Sequence, residues 1–306
     1  MQASFIIPLY NCLALTQECL RTLQATLPAG LAHEIIFVDD GSTDGTREWL
    51  ATLSAPCRAI LNERNLGFAG TCNRGAAAAS GELLFFLNND LILLPGWYEP
   101  MRRIATRDRK AALVGNVQVS AATGVIDHTG IFFDHKGKPQ HDASRSWLSR
   151  LLGRREVPAI TGACFAIRRA VWHELGAFDE GFINGGEDID LCLRARAAGR
   201  RNYVSLRSVV RHHISQSHGR KLRDEHNSYR LMLRWRHAIA RLAARAWCRY
   251  HLSLEWEEPR DFADQVLARD CFLYRWHFLP RPTMAILLGM NMAIETEMER
   301  WREMLR

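Results

Sequence analysis

Amides and carboxylates follow an apolar run of strand length in "LLFFLNND" (residues 83–90), and such groups could bind a cation or a phosphorylated ligand. The run is typical of a strand buried on both faces, which places Asn88, Asn89 and Asp90 at the strand's carboxyl end. Ligand crevices of open α/β sheets lie outside those ends. Asp90 offers the oxygen ligand that Mg²⁺ or Mn²⁺ prefers. Taken alone, the stretch fits equally well a turn that ends a strand.

A second acidic group begins a predicted helix in "GGEDIDLCLRARAAG" (185–199). One of its carboxylates, Glu187, Asp188 or Asp190, could take the proton of an attacking hydroxyl group, which is general-base chemistry. Neighbouring acids would raise its pKa and the helix N-terminus would lower it, so the sequence leaves the direction open. For this segment alone, helix capping is the commoner explanation of the acids, and Gly199 fits the helix's end.

A third polar group, "VDDGSTDGT" (38–46), follows another apolar run. Asp39, Asp40 and Ser42 could bind a polar ligand at that strand end, or could simply form a turn and a helix cap. Two histidines, His212 and His213, stand in "VVRHHISQS", and a single histidine is usually not a metal ligand.

The elements that position these groups alternate along the first ninety residues. Strand-like runs such as "SFIIPL" and "HEIIFVD" are separated by helical stretches, a pattern that indicates βαβ units and a mostly parallel sheet flanked by helices. Neither GxGxxG nor GxxxxGK[ST] occurs, which removes the main support for a dinucleotide or P-loop site. From about 112 to 180 we expect a mixed sheet with short strands.

Composition narrows the class of protein. The chain has 306 residues, of which 47% are hydrophobic and 24% charged, as in ordinary globular proteins. No stretch reaches the ~18 apolar residues of a membrane span, and the start, "MQASFIIPLY", argues against a signal peptide. The eight cysteines lack a CxxC pair and are expected to be reduced. We therefore expect a cytoplasmic protein.

Positive charge is concentrated in residues 194–249, which hold fifteen Arg and Lys against two acids, whereas the rest of the chain has 25 basic and 31 acidic residues. Apolar residues recur there at helical spacing beside a stripe of arginines. The helix could lie on an anionic membrane surface, or its apolar face could pack on the catalytic domain or a second subunit. The apolar residues are Leu231, Trp235, Ile239, Leu242 and Ala246, and the arginines are Arg230, Arg234, Arg241 and Arg245.

Five motifs follow one another along the chain, "FIIPLYN" (5–11), "VDDGSTDGT" (38–46), "NLGFAGTCNRG" (65–75), "LNND" (87–90) and "GEDIDLCLRARAAG" (186–199). In this order and rough spacing they resemble family 2 glycosyltransferases of the GT-A fold. Later blocks, "DHTGIFFDHKGKPQH" (127–141) and "TGACFAIRR" (161–169), resemble the bacterial branch with rhamnosyltransferases and cell-surface polysaccharide enzymes. The likeness covers about residues 4–218 and implies a Rossmann-like domain over 1–219 with a helical C-terminal region over 220–306.

The resemblance implies roles for individual residues. Asp188 corresponds to the catalytic base, and Asp90 to the last carboxylate of the DxD motif, which binds Mg²⁺ or Mn²⁺; Asn88 departs from a strict DxD. His212 would be a further metal or diphosphate ligand, with His213 as the alternative. The nucleotide-sugar would contact Pro8, Tyr10, Asn11, Asp39, Asp40, Ser42, Asn65, Gly67, Asn73, Arg74, Asn88 and Asn89, and the acceptor and donor pocket would include Thr161, Gly162 and Glu187.

The expected activity is inverting transfer of a hexosyl or deoxyhexosyl group from a UDP-, dTDP- or GDP-linked sugar to a saccharide or lipid-linked glycan, in cell-surface glycan synthesis. Three alternatives remain. A nucleotidyltransferase would need a basic Gly-rich loop after the first strand, which is missing. A nucleic-acid-binding protein could use residues 194–249, although the strand-end carboxylates would repel a polyanion. A relative that only binds sugar nucleotides stays open because of Asn88. The segment "EMERWREML" leaves a homo-oligomer open.

Overall fold

The computed structural model describes residues 1–143, 153–213, 220–254 and 261–305. The chain forms two compact units, one made of residues 1–131 and 141–220 and the other of residues 132–140 and 221–306. The predicted boundary near Gly219 lies outside the described residues. The division into domains at 219 and 220 stays a prediction.

The first unit begins with the predicted alternation of strands and helices. The elements up to His212, in chain order, are β1 (Ala3–Leu9), α1 (Leu13–Thr26), β2 (His33–Asp39), α2 (Thr46–Leu50), β3 (Cys57–Leu61), α3 (Gly67–Ala78), β4 (Leu83–Leu87), β5 (Leu91–Leu93), α4 (Tyr98–Arg107), β6 (Ala111–Ser120), β7 (Ile126–His128), β8 (Ile131–Phe133), β9 (Pro139–His141), β10 (Arg154–Val157), β11 (Cys164–Arg168), α5 (Arg169–Glu174), α6 (Glu187–Ala197) and β12 (Arg201–His212). Of these, β8 beyond Ile131 and β9 before His141 belong to the second unit.

One mixed sheet organises this unit, with the strand order β10-β12-β6-β11-β4-β1-β2-β3. Strands β4, β1, β2 and β3 are parallel, as predicted for the first ninety residues. Strand β11 is antiparallel to both β4 and β6, and β12 is parallel to β6. Because β11 is antiparallel to both neighbours, β6 runs in the same direction as β4. Strand β12, which is parallel to β6, therefore also runs in that direction. The carboxyl ends of β1, β2, β4 and β12 therefore lie on one edge of the sheet.

The core explains why the strands are continuous apolar runs. Every residue of β1 and β4 is buried, since helices and neighbouring strands cover both faces. Phe5 stacks on Phe85 with ring centroids 5.1 Å apart, and Trp97 packs edge-on against Phe85 at 5.6 Å. Gly75 lets α3 approach β1, because a Cβ there would lie 2.5 Å from Ile6 Cγ2. The helix and sheet thus meet without room for a larger residue.

The second unit contains the helices α7 (Arg220–Ser253), α8 (Phe262–Arg275) and α9 (Met284–Met304), together with residues 132–140. Gly137 packs against α7 and α9, since a Cβ there would lie 2.9 Å from Met232 Cε and 3.2 Å from Ile294 Cγ1. Buried Glu297 accepts from Lys136 at 3.0 Å and Arg300 at 2.8 Å. Hydrogen bonds from these cations overcome the effect of burial and lower the pKa of Glu297 to about 2.

The buried face of α7 differs from the predicted apolar stripe. Leu231 and Ile239 are buried as expected, but Trp235, Leu242 and Ala246 are only half-buried. The buried face continues instead through Ala243, Ala244, Trp247 and Cys248. Trp247 packs against Gly289 of α9, where a Cβ would lie 2.3 Å from Trp247 Cζ2.

Two expectations from composition can be compared with the described residues. Seven of the eight cysteines are buried and all are free thiols, but Cys12 is exposed rather than part of the core. Among the helices that the structure describes, none combines the length and the apolar character needed to cross a bilayer.

Candidate functional site

The strand-end edge of the first unit brings Asp90 and His212 together. Strand β5 pairs antiparallel with the end of β12, with Leu91 opposite His212, so that the residue preceding β5 faces the histidine. Asp90 Oδ1 lies 3.1 Å from His212 Nε2, and both side chains are largely buried. His213 takes a different direction, with its Nε2 3.7 Å from Glu18 Oε2, while its backbone amide donates to Asp90 O. The structure thus places His212, rather than His213, at the carboxylate.

Several polar atoms at this edge lack internal partners. Within the described part of the chain, the buried atoms Asn88 Oδ1 and His212 Nδ1 accept or donate no hydrogen bond, and the contact of Asp90 Oδ1 with His212 lacks hydrogen-bond geometry. Buried polar groups without partners are costly, so they point to a ligand that completes them.

The side chains of Asn88, Asp90 and His212 fit a divalent cation only in part. A carboxylate oxygen, an amide oxygen and an imidazole suit Mn²⁺ or Mg²⁺ in type. Among the described residues, no group of three or more His, Cys, Asp or Glu side chains is arranged to hold a metal alone. The residues fit a cation whose remaining ligands come from phosphate oxygens and water.

Asn89 is directed away from this cluster. Its Nδ2 donates to Thr16 Oγ1 at 2.9 Å and to Asn11 O at 3.4 Å. Asn89 therefore ties the end of β4 to the beginning of α1.

The carboxylates at the end of β2 are saturated by internal hydrogen bonds. Asp39 is fully buried and accepts from Arg47 Nε at 2.6 Å and from the backbone amides of Gly41 and Ser42. Asp40 accepts from Leu66 N at 2.7 Å, Gly67 N at 2.9 Å and Asn62 Nδ2 at 2.8 Å. These two carboxylates hold the loops after β2 and β3 in place.

The turn after β1 is fixed against the turn after β2. Asn11 has a positive φ of 57°, its backbone amide donates to Ser42 Oγ at 2.7 Å, and its Oδ1 accepts from Thr43 N at 2.8 Å. Pro8 lies within β1 opposite Val38. Tyr10 is 53% exposed at this turn, so its ring is accessible to a ligand.

Residues of the third turn and of α3 contact distant parts of the first unit. Asn65 Nδ2 donates to Asp40 O at 3.1 Å, and Arg74 donates to Asn62 Oδ1 at 2.9 Å. Asn73 binds the loop before α6, with Nδ2 2.8 Å from Glu180 Oε1 and Oδ1 accepting from Phe178 N. Gly67 has a φ of 74°, and a Cβ there would lie 3.3 Å from Asn184 Oδ1.

The beginning of α6 presents Asp188 to a backbone segment. Gly162 N donates to Asp188 Oδ2 at 2.6 Å, and Ile189 N donates to Oδ1 at 2.7 Å. Burial raises the pKa of Asp188 above its ordinary value, while those amides and nearby His141 partly oppose the rise. The direction that the sequence left open is therefore upward, which makes the carboxylate a stronger base.

The neighbouring acids of α6 have other contacts. Glu187 is buried and accepts from Gly185 N at 2.8 Å, and Asp190 forms a buried ion pair with Arg194 at 2.8 Å. Both act on the structure of the helix start.

The segment before β11 connects Asp188 with the end of β4. Ala163 O accepts from Asn88 N at 2.8 Å, whereas the preceding residue, Gly162, donates to Asp188. Thr161 Oγ1 accepts from Ala163 N at 3.4 Å. The candidate base and the candidate cation ligands are thus anchored to adjacent residues.

Sequence analysis did not assign roles to His128, His141 or Asp127, which also lie in the first unit. The rings of His128 and His141 are 5.0 Å apart, and His141 Nδ1 is 3.7 Å from Asp127 Oδ2. Buried His128 Nε2 accepts from Thr161 N at 3.4 Å, and burial, with His141 and Arg155 nearby, lowers the pKa of His128 to about 3. The quoted block 127–141 contained these residues, but only the fold brings them beside Thr161 and Asp188.

The fold and this edge define a GT-A type protein, and comparison with known proteins gives the family. Residues 4–176 match the family described as "Glycosyl transferase family 2", and the chain belongs to that family. It is 31% identical over 239 residues to the O-antigen biosynthesis protein RfbC of Myxococcus xanthus, a match that covers 71% of this chain and 18% of RfbC. A second curated relative, the uncharacterized protein y4gI of Sinorhizobium fredii, is 27% identical over 230 residues, covering 69% of this chain and 25% of y4gI.

Solved structures agree with the fold. GalNAc-T7 with UDP, GalNAc and Mn²⁺ has a TM-score of 0.65 at 17% identity, covering 91% of this chain and 57% of that one. The mannosyltransferase PcManGT of Pyrobaculum calidifontis, in complex with GDP-Man and Mn²⁺, has a TM-score of 0.51 at 16% identity, covering 99% and 78%.

Proposed function

We propose that the protein is an inverting glycosyltransferase that moves a hexosyl or deoxyhexosyl group from a nucleoside diphosphate sugar to a hydroxyl acceptor, with Mg²⁺ or Mn²⁺. One observation carries this proposal. Two buried atoms that have no partner among the described residues, Asn88 Oδ1 and His212 Nδ1, belong to side chains next to Asp90. The same backbone segment that holds Asn88 through Ala163 also holds Asp188 through Gly162. Cation ligands and a base are thereby available at one edge.

The nucleoside part of the donor would bind at the turns after β1 and β2. Pro8, Tyr10, Asn11 and Ser42 form its walls, and the exposed ring of Tyr10 can stack on a flat base. Asp39 and Asp40 act through the loops that they hold. The third turn closes the pocket through Asn65, Gly67, Asn73 and Arg74, and Asn89 fixes the loop that begins α1.

The diphosphate would bind at the end of β4, where Asp90 and His212 would hold the cation. A divalent cation bound there would neutralise the charge that develops on the leaving diphosphate. Asn88 replaces a carboxylate, so its neutral oxygen orients water or the ribose without adding charge. The UDP or GDP in the two related structures supports such a donor, with dTDP as a third option.

Asp188 would act as the base. The acceptor oxygen attacks the anomeric carbon, its proton passes to Asp188, and the bond to the diphosphate breaks on the opposite face, which inverts the configuration. Amides of Gly162 and Ile189 hold the carboxylate in place, and Thr161, Gly162 and Glu187 would line the pocket for acceptor and donor. Its raised pKa favours proton uptake.

The biological setting is also a proposal. The name of RfbC supports a role in cell-surface glycan synthesis, with a saccharide or lipid-linked glycan as the acceptor. Such acceptors fit a cytoplasmic protein at the inner face of the membrane, alone or as a homo-oligomer.

Asn88 favours a second candidate, a relative that binds nucleotide sugars without transferring them. A nucleic-acid-binding role loses support, because several arginines of the basic segment form ion pairs, such as Arg194 with Asp190 and Arg200 with Glu174.

The test is a panel of UDP-, dTDP- and GDP-sugars with saccharide and lipid-linked acceptors, in which release of the nucleoside diphosphate is measured with and without Mn²⁺. We expect acceptor-dependent release with one donor. Donor binding without release in any combination, or undiminished acceptor-dependent release by Asp188→Asn, would contradict the transfer mechanism.

A further inference from the structure

The helical unit exposes a cluster of large apolar side chains where α8 ends and α9 begins. Trp276 is 57% exposed, Phe278 71% and Met284 71%. Phe272 is 51% exposed and lies one turn before Trp276, with ring centroids 6.4 Å apart. Single exposed apolar residues are ordinary, but a contiguous group of this kind marks an interaction surface. We call residues 272–288 the α8–α9 tip.

Helix α9 continues this surface because its first half is apolar on two faces. Ile286, Met290 and Ile294 are buried within the helical unit. Met284, Leu288 and Met292 recur every four residues, so they share one face, and they are 71%, 58% and 72% exposed. Packing inside the unit uses the first face and leaves the second to water.

The charges around the tip are of one sign. No acidic residue occurs between Asp270 and Glu295, whereas Arg275 and Arg281 lie in that stretch. The Arg275 guanidinium carbon is 5.4 Å from the centroid of the Trp276 ring. Arg245 of α7 adds charge beside the tip, since its Nη1 is 2.7 Å from His277 Nδ1.

The acids of α9 are kept away from the tip. Glu295 follows Met284 by eleven residues, which at the rise of an α-helix is a separation of about 16 Å. The helix is therefore apolar and basic at its beginning and acidic near its end.

We propose that the α8–α9 tip binds the surface of an anionic lipid bilayer. Aromatic rings and apolar side chains enter the boundary between headgroups and acyl chains to about 5–10 Å, while the arginines bind lipid phosphates. A second copy fits this surface less well, because a two-fold interface is made of the same patch on both copies and would bring two basic surfaces together. This proposal concerns the helical unit alone, so it stands or falls separately from the transfer reaction.

The surface differs from the membrane-facing stripe that the sequence suggested on α7. Leu231 and Ile239 of that stripe are buried within the helical unit and are not available to lipid. In the tip, the exposed apolar residues, Arg275 and Arg281 lie between the end of α8 and the first half of α9.

The test is sedimentation of the full chain with vesicles of phosphatidylcholine alone or with about one third phosphatidylglycerol, at low and high salt. We expect binding to the anionic vesicles that weakens in high salt. The variant Trp276→Ser with Phe278→Ser should reduce partitioning at least about tenfold. The variant Arg275→Gln with Arg281→Gln, which keeps the rings, should reduce binding to anionic vesicles by about 30-fold.

Two matched controls are exposed residues of α7. Leu233→Ser removes an apolar side chain that is 54% exposed, and Arg241→Gln removes an exposed charge of the α7 stripe. Both should bind vesicles like the original chain. Circular dichroism and melting temperature will check that all variants are folded.

Three results would overturn the proposal. These are no sedimentation with anionic vesicles at low salt, equal binding by the tip variants and the original chain, or loss of binding in Arg241→Gln alone. Light scattering tests whether the tip instead binds a second copy of the chain. If the chain does not bind vesicles but forms a dimer that the Trp276 and Phe278 substitutions disrupt, the tip is a surface for self-association.

Discussion

Two acidic groups lie on the same edge of the sheet and differ in how their oxygens are used. At the end of β2, Asp39 and Asp40 accept five or more hydrogen bonds from Arg47, Asn62 and backbone amides. At the end of β4, Asn88 Oδ1 has no hydrogen-bond partner within the described residues, and among the same residues Asp90 Oδ1 has only a poorly oriented contact with His212.

The difference separates two tasks that look alike in sequence. A saturated carboxylate stabilises the loops that surround a ligand, whereas an unsaturated one leaves its binding capacity for the ligand itself. We expect substitutions in the first group to change mainly stability and substitutions in the second group to change mainly metal and nucleotide binding.

The largest effect is expected for Asp188→Asn. Loss of the base should lower kcat by about a thousandfold, while donor binding stays near its original level. Steady-state kinetics and titration with the nucleoside diphosphate measure the two quantities.

Asp190→Asn is the matched control, two residues further along α6. It breaks the buried ion pair with Arg194 and should lower stability rather than the activity of the folded fraction. Comparable kcat values for Asp188→Asn and the original chain would exclude Asp188 as the base.

The next largest effect is on stability. Asp40→Ala leaves the amide of Leu66 without an acceptor, removes one of the two acceptors of Gly67 N, and should lower the free energy of unfolding by about 3 kcal/mol. Urea unfolding measures it. Asp44→Ala, which removes an exposed acceptor of Leu13 N and Thr46, should cost only about 1 kcal/mol. If the two variants were equally stable, the loops would not depend on Asp40.

The two histidines give an intermediate contrast. His212→Gln removes the imidazole beside Asp90 and should raise the Mn²⁺ concentration for half-maximal activity about tenfold. His213→Gln removes a group that lies near Glu18 and should leave that concentration almost unchanged. If His213→Gln raised this Mn²⁺ concentration more than His212→Gln did, His213 would be the cation ligand.

The smallest effect is a change in pH dependence. Protonated His141 favours the ionised form of Asp188, so His141→Gln should raise the pKa of Asp188 further. Because the base must be deprotonated, the acidic limb of the kcat/KM profile should move to higher pH. His173→Gln, an exposed histidine of α5, is the control. If the acidic limb of the profile does not move in His141→Gln, His141 does not affect the pKa of Asp188.

The sequence predicted the alternating elements and the polar strand ends, because both depend on local patterns that can be counted. It could not predict which carboxylates are saturated, since many of the partners are remote in sequence, as Leu66 and Gly67 are from Asp40 and Gly162 is from Asp188. His128 and His141 were missed for the same reason. The buried face of α7 was placed partly wrong, because its partners on α9 decide which residues are covered.

The most direct test of the account is a thermal-shift panel of UDP, dTDP, GDP and CDP, each with Mg²⁺, Mn²⁺ or EDTA, on the original chain and Asp90→Ala. A ligand at a hundred times its dissociation constant adds about 2.7 kcal/mol of stability. The account predicts that one diphosphate raises the melting temperature only with metal, and that Asp90→Ala abolishes the rise. Stabilisation that persists in EDTA, or in Asp90→Ala, would contradict a cation held at the end of β4.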